Sequence, residues 1–228
     1  MTRRPNTFEV PPASVRSRIL DAATRRFSIT PFAEVSVGEI ADEACVAKAS
    51  VYGHFASKDD LAIAVIDHDL RILEAERDSI LVRGLPGLES MIDVTYAVAV
   101  HDLTSPGARA RIRLLETIDH ADARTDRRLD AWMAVMAAPT ELAVTQHDFK
   151  DLSVAELTRF LASMYFGLQK TVSWGEPEAF LRALQRSWIW TLPGLLRHER
   201  LPYFADFLER RTVHAIAIAQ TRRAGLLS

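Results

Sequence analysis

The chain has 228 residues, of which 48% are hydrophobic, enough to bury the core of one large domain or of a small and a larger one. Its single cysteine, Cys45, excludes an internal disulfide and fits a reducing cytosol, with a buried thiol expected. No run approaches about 18 uncharged apolar residues, and the amino terminus lacks the apolar block of a signal peptide, so we expect a cytoplasmic protein.

The net charge of −2 is not typical of a nucleic-acid-binding protein, but the charges are unevenly placed. Residues 1–28 hold six arginines against two acidic residues, a net charge of +4, whereas residues 29–60 hold two lysines against six acidic residues, a net charge of −4. Residues 1–12 are polar and contain proline, which predicts a flexible arm. The positive field of this arm and of the first helix is placed to follow phosphate.

A first helix is predicted from Ser14, because Ile19, Ala23 and Phe27 recur every four residues and form one apolar face. That face is expected to pack against the two helices that follow.

Two short helices and a turn follow at residues 36–55. Ser36 and Glu39 fit a capping box, which predicts a helix over 36–44. A second helix over 47–55 places Val51 and Phe55 on one apolar face. Lys48, Ala49, Tyr52 and His54 then point away from that apolar face. A small residue among outward polar side chains is typical of a helix lying in a DNA major groove. On spacing alone, a solvated helical hairpin fits equally well.

The remaining chain also reads as helices. A capped start at Ser57 opens a long helix over 58–82, and Lys58 lies near its free N–H groups, where it can meet phosphate. After a break at 83–87, further helices are predicted over 88–103, 108–118, 128–146, 153–174, 178–192 and 203–223, with breaks at 105–107, 175–177 and 192–194. No alternating strand of useful length is present, which predicts an all-α protein.

Enzyme signatures are missing from the sequence: it holds no nucleophile elbow, phosphate-binding loop, dinucleotide fingerprint or paired metal-ligand spacing. Its histidines are scattered, so no metal or cofactor is predicted. We therefore expect a protein that is not an enzyme, with a small-molecule pocket between helices as the better hypothesis.

Residues 19–66 resemble the DNA-binding domain of the tetracycline-repressor (TetR) family. The motifs are a first helix ending in Phe27, the helix-turn-helix, the Tyr-x-His-Phe at 52–55 and Ser57-Lys58. Cys45 stands where the family usually has the glycine of the turn, and Pro31 where a glycine often follows the first helix. A non-glycine residue at positive φ costs on the order of 1 kcal/mol, so we expect an adjusted turn. The resemblance implies DNA contacts, with Lys48 and Tyr52 on backbone or bases and His54 and Lys58 on phosphate. The full predicted set is Ser36, Lys48, Ala49, Ser50, Tyr52, His54 and Lys58.

Later segments resemble one branch of that family, the γ-butyrolactone receptors and the related furan-type autoregulator receptors. The similar pieces include Pro106, the stretch 109–114, Trp132, the stretch 166–169 and the Trp188 to Gly194 region. Arg111 replaces a glycine usual in that branch. The resemblance implies an all-α fold with a helix-turn-helix DNA-binding domain over 13–57 and a ligand-binding and dimerisation domain over 58–228.

The same resemblance suggests the ligand site. Trp132 would form a flat wall for a small lactone or furan ring, with Gln169 and Tyr165 as hydrogen-bonding partners; the alternative is that Trp132 is only core. Arg113 would pair with a ligand carboxylate or, more readily, with Glu116.

Family members are homodimers, and helices 153–174 and 178–192 would pair into a four-helix bundle with Phe160, Met164 and Trp188 at the seam or in the core. The sequence thus predicts a ligand-responsive repressor that binds double-stranded palindromic operator DNA and is released by a small apolar signal. A TetR-type regulator of an efflux gene sensing a drug is the alternative within the class. An all-helical enzyme and a pure interaction adaptor are the alternatives outside it.

Overall fold

The computed structural model describes residues 14–121, 127–146, 153–172 and 176–226. Within those ranges the chain forms helices and no strand, which confirms the all-α prediction. The helices are α1 (Val15–Ile29), α2 (Val37–Glu43), α3 (Lys48–His54), α4 (Lys58–Leu81), α5 (Gly87–Thr104), α6 (Pro106–Ala121), α7 (Arg127–Thr145), α8 (Val154–Thr171), α9 (Pro177–Leu195) and α10 (Leu201–Leu226), with 3-10 turns at Phe32–Glu34 and His198–Arg200.

Two predicted breaks differ from the structure. Helix α6 starts at Pro106, because a proline in the first helical turn has no hydrogen bond to lose. Helix α9 was expected to end at residue 192 but continues through Pro193 to Leu195. The proline stands in the last turn of α9, and the Leu196 N–H still donates to the Leu192 carbonyl to close the helix. The predicted arm and Trp174 lie outside the described residues.

One apolar core joins α1, α2 and α3 to the first half of α4. Fully buried Ile19, Ile40 and Leu61 mark its centre, and Ala110 and Leu114 of α6 complete it. The predicted division of the chain at residue 57 therefore does not separate two independent cores, since α4 and α6 contribute to this one.

A second, larger core lies among α5, α7, α8, α9 and α10. Helix α5 runs through its middle, and every residue of that helix except Ala97 is buried. Helix α4 adds Leu73 and Ile80 to this core and Leu61 to the first. With 24 residues, α4 spans roughly 36 Å at about 1.5 Å per residue and connects both cores. No helix in the described ranges is long and apolar enough to cross a membrane.

Candidate functional site: a helix-turn-helix and a closed cavity

The start of α2 has the predicted capping box. The Glu39 N–H donates to the Ser36 hydroxyl at 3.2 Å, and the Ser36 N–H donates to Glu39 Oε2 at 2.8 Å. These bonds to Ser36 hold the pKa of Glu39 below its usual value. Ser36 therefore has a structural role as an N-cap, and its hydroxyl remains on the exposed surface.

The turn between α2 and α3 is a Schellman motif. The Val46 N–H donates to the Ala41 carbonyl and the Cys45 N–H to the Asp42 carbonyl, at 3.0 and 3.1 Å. Cys45 has φ 53°, and it is the one non-glycine residue at positive φ in the described ranges. The expectation of an adjusted turn was wrong, because the turn keeps its usual geometry and Cys45 adopts the strained left-handed conformation. The expectation of a buried thiol was also wrong, since Cys45 is exposed.

Helix α3 divides into a buried and an outward face. Val51, and Phe55 just after the helix, are buried against the first core, as predicted. Lys48, Ala49, Tyr52 and His54 are exposed, and Ser50 is half-buried. The six predicted DNA-contacting residues other than Lys58 thus lie in α3 or at the start of α2, and their contacts with DNA stay a prediction.

Lys58 makes internal contacts instead of pointing freely outward. Its ammonium donates to the Phe32 and Val35 carbonyls at 2.9 and 3.1 Å and stands 4.3 Å from the centre of the Phe32 ring. Two of its three N–H donors are thereby occupied. Lys58 ties the turn before α2 to α4, and a phosphate would have to use the third donor.

Two arginines of α1 are also held in ion pairs within the protein. Arg25 and Arg26 both donate to the Glu43 carboxylate, at 2.6 and 2.5 Å, which joins α1 to the end of α2. Despite its burial, these two arginines hold the pKa of Glu43 below its usual value. Arg16 lies over the Phe55 ring at 5.1 Å and is exposed beside the end of α3, where its charge remains available.

A cavity lies between α4, α5, α6, α7 and α8, where the ligand site was predicted. Its lining contains predicted Trp132, Tyr165 and Gln169. Arg113 is exposed and does not line it, whereas Arg111 does, because two residues along a helix turn a side chain to the opposite face. Assigning Arg113 to this pocket was therefore wrong. The full lining is Leu70, Leu73, Val98, Asp102, Arg111, Ile112, Leu115, Ala131, Trp132, Val135, Tyr165, Phe166 and Gln169.

Glu116, expected to pair with Arg113, forms an ion pair with Lys170 of α8 at 2.8 Å. This pair is on the outside of the same helices.

Trp132 provides the aromatic wall of the cavity. Its ring centre lies 4.5 Å from that of Tyr165 and 5.7 Å from that of Phe166. The indole is 6% exposed, and its Nε1–H has no hydrogen-bond partner within the described part of the chain. Buried donors are nearly always paired, so this N–H is suited to a carbonyl or ether oxygen brought by a ligand. Trp132 is thus a core residue and a cavity wall at once.

Buried polar side chains form another part of the cavity wall and extend behind it. Asp102 accepts from Arg111 Nη2 at 2.5 Å, from the Tyr165 hydroxyl at 2.9 Å and from Gln169 Nε2 at 3.2 Å. On the far side of Arg111, Asp69 accepts from Arg111 Nε at 2.7 Å and contacts His101 Nε2 at 2.8 Å. We call these side chains the polar cluster: Asp69, His101, Asp102, Arg111, Tyr165 and Gln169.

Burial and pairing act differently on the two carboxylates of the polar cluster. Burial raises the pKa of Asp102 even though Arg111 lies against it. Burial also opposes ionisation of Asp69, but His101 and Arg111 together hold its pKa below the usual value. Burial next to Asp102 raises the pKa of Tyr165 well above its usual value, so its hydroxyl stays a donor.

The cavity is nearly closed. Its volume is about 20 Å³, whereas a single water needs roughly 10–15 Å³. A lactone or furan ring can enter only if the surrounding helices separate, so binding would favour a more open arrangement of α4 to α8.

The sequence did not reveal the polar cluster, except that Arg111 stood out from the resembling branch. A signal was available in α5, where His101 and Asp102 directly follow the apolar run at 97–100. An ionisable pair beside such a run predicts that buried partners of complementary charge lie on other helices.

Two short helices, a tight turn and an outward polar face on the second helix form a helix-turn-helix, an arrangement that DNA-binding proteins use. Residues 19–65 match the family model of "Bacterial regulatory proteins, tetR family", so this segment of the chain is similar to the DNA-binding domain of that family. Among curated proteins, none matches the sequence significantly.

Solved structures with a similar fold include a γ-butyrolactone receptor described as an ArpA-like protein, at 22% identity and a TM-score of 0.68, over 88% of this chain and 97% of that one. CprB from Streptomyces coelicolor A3(2) has 24% identity and a TM-score of 0.67, over 87% and 96% of the two chains. TylP, a TetR regulator from Streptomyces fradiae, has 21% identity and a TM-score of 0.65, over 90% and 98%. At these identities the likeness shows the fold.

Proposed function

We propose that this protein is a ligand-responsive repressor. A homodimer binds a palindromic operator through α3, and a small lactone- or furan-type signal enters the closed cavity and releases the DNA. The observation that carries the proposal is the unpaired indole N–H of Trp132 on the wall of a cavity bordered by α4 and α6, which also form part of the first core. It is supported by similar structures named a γ-butyrolactone receptor and CprB in complex with its operator.

The cavity chemistry favours an uncharged ligand. The Arg111 guanidinium on the cavity wall is shared by two carboxylates, Asp102 on the wall and Asp69 behind it, so the cavity offers no surplus positive charge. A ligand carboxylate would lie beside Asp102 without a free cation, which is unfavourable in a buried site. An uncharged ring can place an oxygen on the Trp132 N–H and its apolar part against Val98 and Leu115.

The DNA-binding surface is proposed from exposure and charge. Lys48 and Tyr52 stand outward on α3, with His54 at the end of that helix and Arg16 of α1 beside it. The ammonium of Lys48 is expected to contact phosphate or a base edge, and the arginines of the amino-terminal arm would add charge.

Dimerisation is proposed through α8 and α9. Phe160 on α8 is 48% exposed, and Ile189 and Trp190 on α9 are 41% and 77% exposed. Trp188, predicted at the seam or in the core, is fully buried within the protomer. Exposed aromatic side chains on neighbouring helices are typical of a surface that is covered by a partner.

The test is operator release by a defined probe. An operator is first selected from random duplex DNA at low salt, and a synthetic acyl-γ-butyrolactone carrying a hydroxymethyl group is then titrated into the complex. We expect Trp132→Ala to bind the operator nearly as well as wild type but to resist release. Equal loss of both activities would assign Trp132 to the core alone, and failure of the wild-type protein to select any sequence would contradict the repressor.

Trp132→Phe is the milder variant, because it keeps an aromatic ring on the wall while it removes the N–H and the volume of the second ring. Loss of a hydrogen bond worth about 1 kcal/mol would raise the probe concentration needed for release by roughly fivefold. The same response from Trp132→Phe and wild type would show that the indole N–H does not meet the ligand.

A drug-sensing regulator of an efflux gene remains the second candidate, favoured by the aromatic cluster of Trp132, Tyr165 and Phe166. Planar apolar drugs titrated in the same release assay would distinguish the two: release by them and not by the lactone probe would favour this function.

A further inference from the structure

The polar cluster links the cavity to the helix that connects the two cores. Asp69 belongs to α4, His101 and Asp102 to α5, Arg111 to α6, and Tyr165 and Gln169 to α8. Four helices that border or frame the cavity are therefore held by one set of buried hydrogen bonds.

Arg111 is the centre of this set. Its Nε donates to Asp69 Oδ2 at 2.7 Å and its Nη2 donates to Asp102 Oδ1 at 2.5 Å, so one planar guanidinium joins α4 to α5. The Arg111 residue is 8% exposed and also lines the cavity. Because a guanidinium is rigid and always charged, it cannot leave either carboxylate without stranding a buried charge.

The start of α6 lies close against the Asp69 side chain of α4. A Cβ added to Gly107, in the first turn of α6, would stand 2.5 Å from Asp69 Oδ1. Asp69 itself is 1% exposed. Because Asp69 is tightly packed, a shift of α6 must also displace the Asp69 side chain.

Entry of a ligand must disturb this arrangement. The cavity holds about 20 Å³, and Arg111, Asp102, Tyr165 and Gln169 all contribute to its wall. Enlarging it by a shift of α8 breaks the bonds that Asp102 accepts from Tyr165 and Gln169, and enlarging it by a shift of α6 displaces Arg111.

We propose that Arg111, held between Asp69 and Asp102, is the positioning residue that transmits occupancy of the cavity to α4 and so to the helix-turn-helix. This inference rests on the proposed function. Ligand entry displaces Arg111, Arg111 draws Asp69, and α4 carries the displacement to the first core, where Leu61 and Val65 pack beneath α1 to α3. The polar cluster is arranged differently in the ligand-free and the ligand-bound protein. Such a difference is what any coupling between ligand binding and DNA binding requires.

The experiment measures coupling rather than binding alone. The affinity of the acyl-γ-butyrolactone probe is determined for the free protein and for its operator complex, and the ratio of the two Kd values is the coupling factor. Asp69→Asn keeps the shape of the side chain and leaves Asp102, Tyr165 and Trp132 in place. We expect its probe affinity in the free state to stay within about threefold of wild type while the coupling factor falls at least about fivefold.

Two further variants make the result decisive. Arg111→Lys keeps the charge but lacks the fork that reaches both carboxylates, so it should lose coupling in the same way. Asp67→Asn is the matched control, since Asp67 is exposed on the same helix, and it should behave as wild type. A wild-type coupling factor in either Asp69→Asn or Arg111→Lys, whichever folds, overturns the inference.

A second experiment, without ligand, tests the role of Arg111 independently of the proposed lactone signal. Ala131→Leu adds volume at the cavity wall and takes the place of a bound molecule. It should weaken operator binding at least about fivefold in the wild-type background and less than about twofold in the Asp69→Asn background. Equal weakening in both overturns the role of Arg111, whereas failure of the lactone to release wild-type protein overturns only the proposed signal.

Discussion

At the scale of single residues, the strained position of the chain is Cys45. Its φ of 53° places a residue with a Cβ in the left-handed region, where glycine is at ease. The hydrogen bonds of the Schellman turn and the packing of α2 and α3 hold it there. Helix α3 thus keeps its orientation at the expense of local strain at Cys45.

Cys45→Gly is therefore expected to stabilise the protein by about 0.5–1 kcal/mol, because relief of strain exceeds the added flexibility of the unfolded chain. Urea unfolding would measure the change. Cys45→Ala is the control: it removes the thiol and keeps the Cβ, so it should leave stability nearly unchanged. A gain with alanine equal to that with glycine would attribute the effect to the thiol.

Lys58 shows how a motif residue can have a structural role. Its bonds to the Phe32 and Val35 carbonyls predict that Lys58→Met destabilises the protein by about 1–3 kcal/mol. Lys48→Met, at an exposed site of α3, should change stability by less than about 0.5 kcal/mol. Lys48→Met should instead weaken operator binding. It should also reduce, by about one, the slope of the logarithm of the binding constant against the logarithm of salt concentration. Weaker operator binding without loss of stability in Lys58→Met would instead support the predicted contact between Lys58 and phosphate.

At the scale of elements, α5 is the helix around which the larger core packs. Its first residue, Gly87, meets α7 at the backbone: an added Cβ would lie 2.4 Å from the Ala143 N and Cα atoms. The Gly87 N–H also donates to the Gln146 side chain at 2.7 Å. This contact fixes the distance between the two helices.

Gly87→Ala is expected to cost about 3 kcal/mol, since a backbone contact cannot rotate away. Gly38→Ala, in the first turn of α2, meets only the Ser36 hydroxyl at 3.7 Å and should be neutral or stabilising by about 0.5 kcal/mol. Thermal unfolding of both variants measures the difference. A small effect at Gly87 would mean that α5 and α7 can separate without loss.

Most of these elements were predictable from the sequence, because caps, apolar spacing and prolines act locally. The capping box at Ser36 and the capped start at Ser57 set two helix boundaries correctly. The cavity wall at Trp132, Tyr165 and Gln169 followed from resemblance. The polar cluster did not, because Asp69 and Asp102 meet through Arg111 only after three helices pack, and no spacing along the chain records that meeting.

At the scale of the whole molecule, the protomer leaves an aromatic surface uncovered on α8 and α9. Trp190 is 77% exposed, the largest exposure among its neighbours on that surface. A second copy that covers this surface would set two α3 helices roughly 34 Å apart on DNA. Operator affinity then depends on dimerisation.

Trp190→Glu is expected to weaken the dimer by at least about 2 kcal/mol, or roughly 30-fold in its dissociation constant, because a buried charge would replace an aromatic anchor. Sedimentation velocity over a range of concentrations would measure it. Val213→Glu changes an exposed residue of α10 and should leave the dimer intact. An unchanged dimer in Trp190→Glu would place the interface elsewhere.

For the proposed repressor, the small size of the cavity also sets a time scale for operator release. A site of about 20 Å³ admits a ring only during openings, so the protein presents its receptive form for a fraction of the time. At high probe concentration the observed rate of operator release should level off at the opening rate instead of rising in proportion to concentration. The apparent dissociation constant is the intrinsic constant divided by this fraction, so under the proposed function the packing around Trp132 would determine how much signal must accumulate before transcription responds.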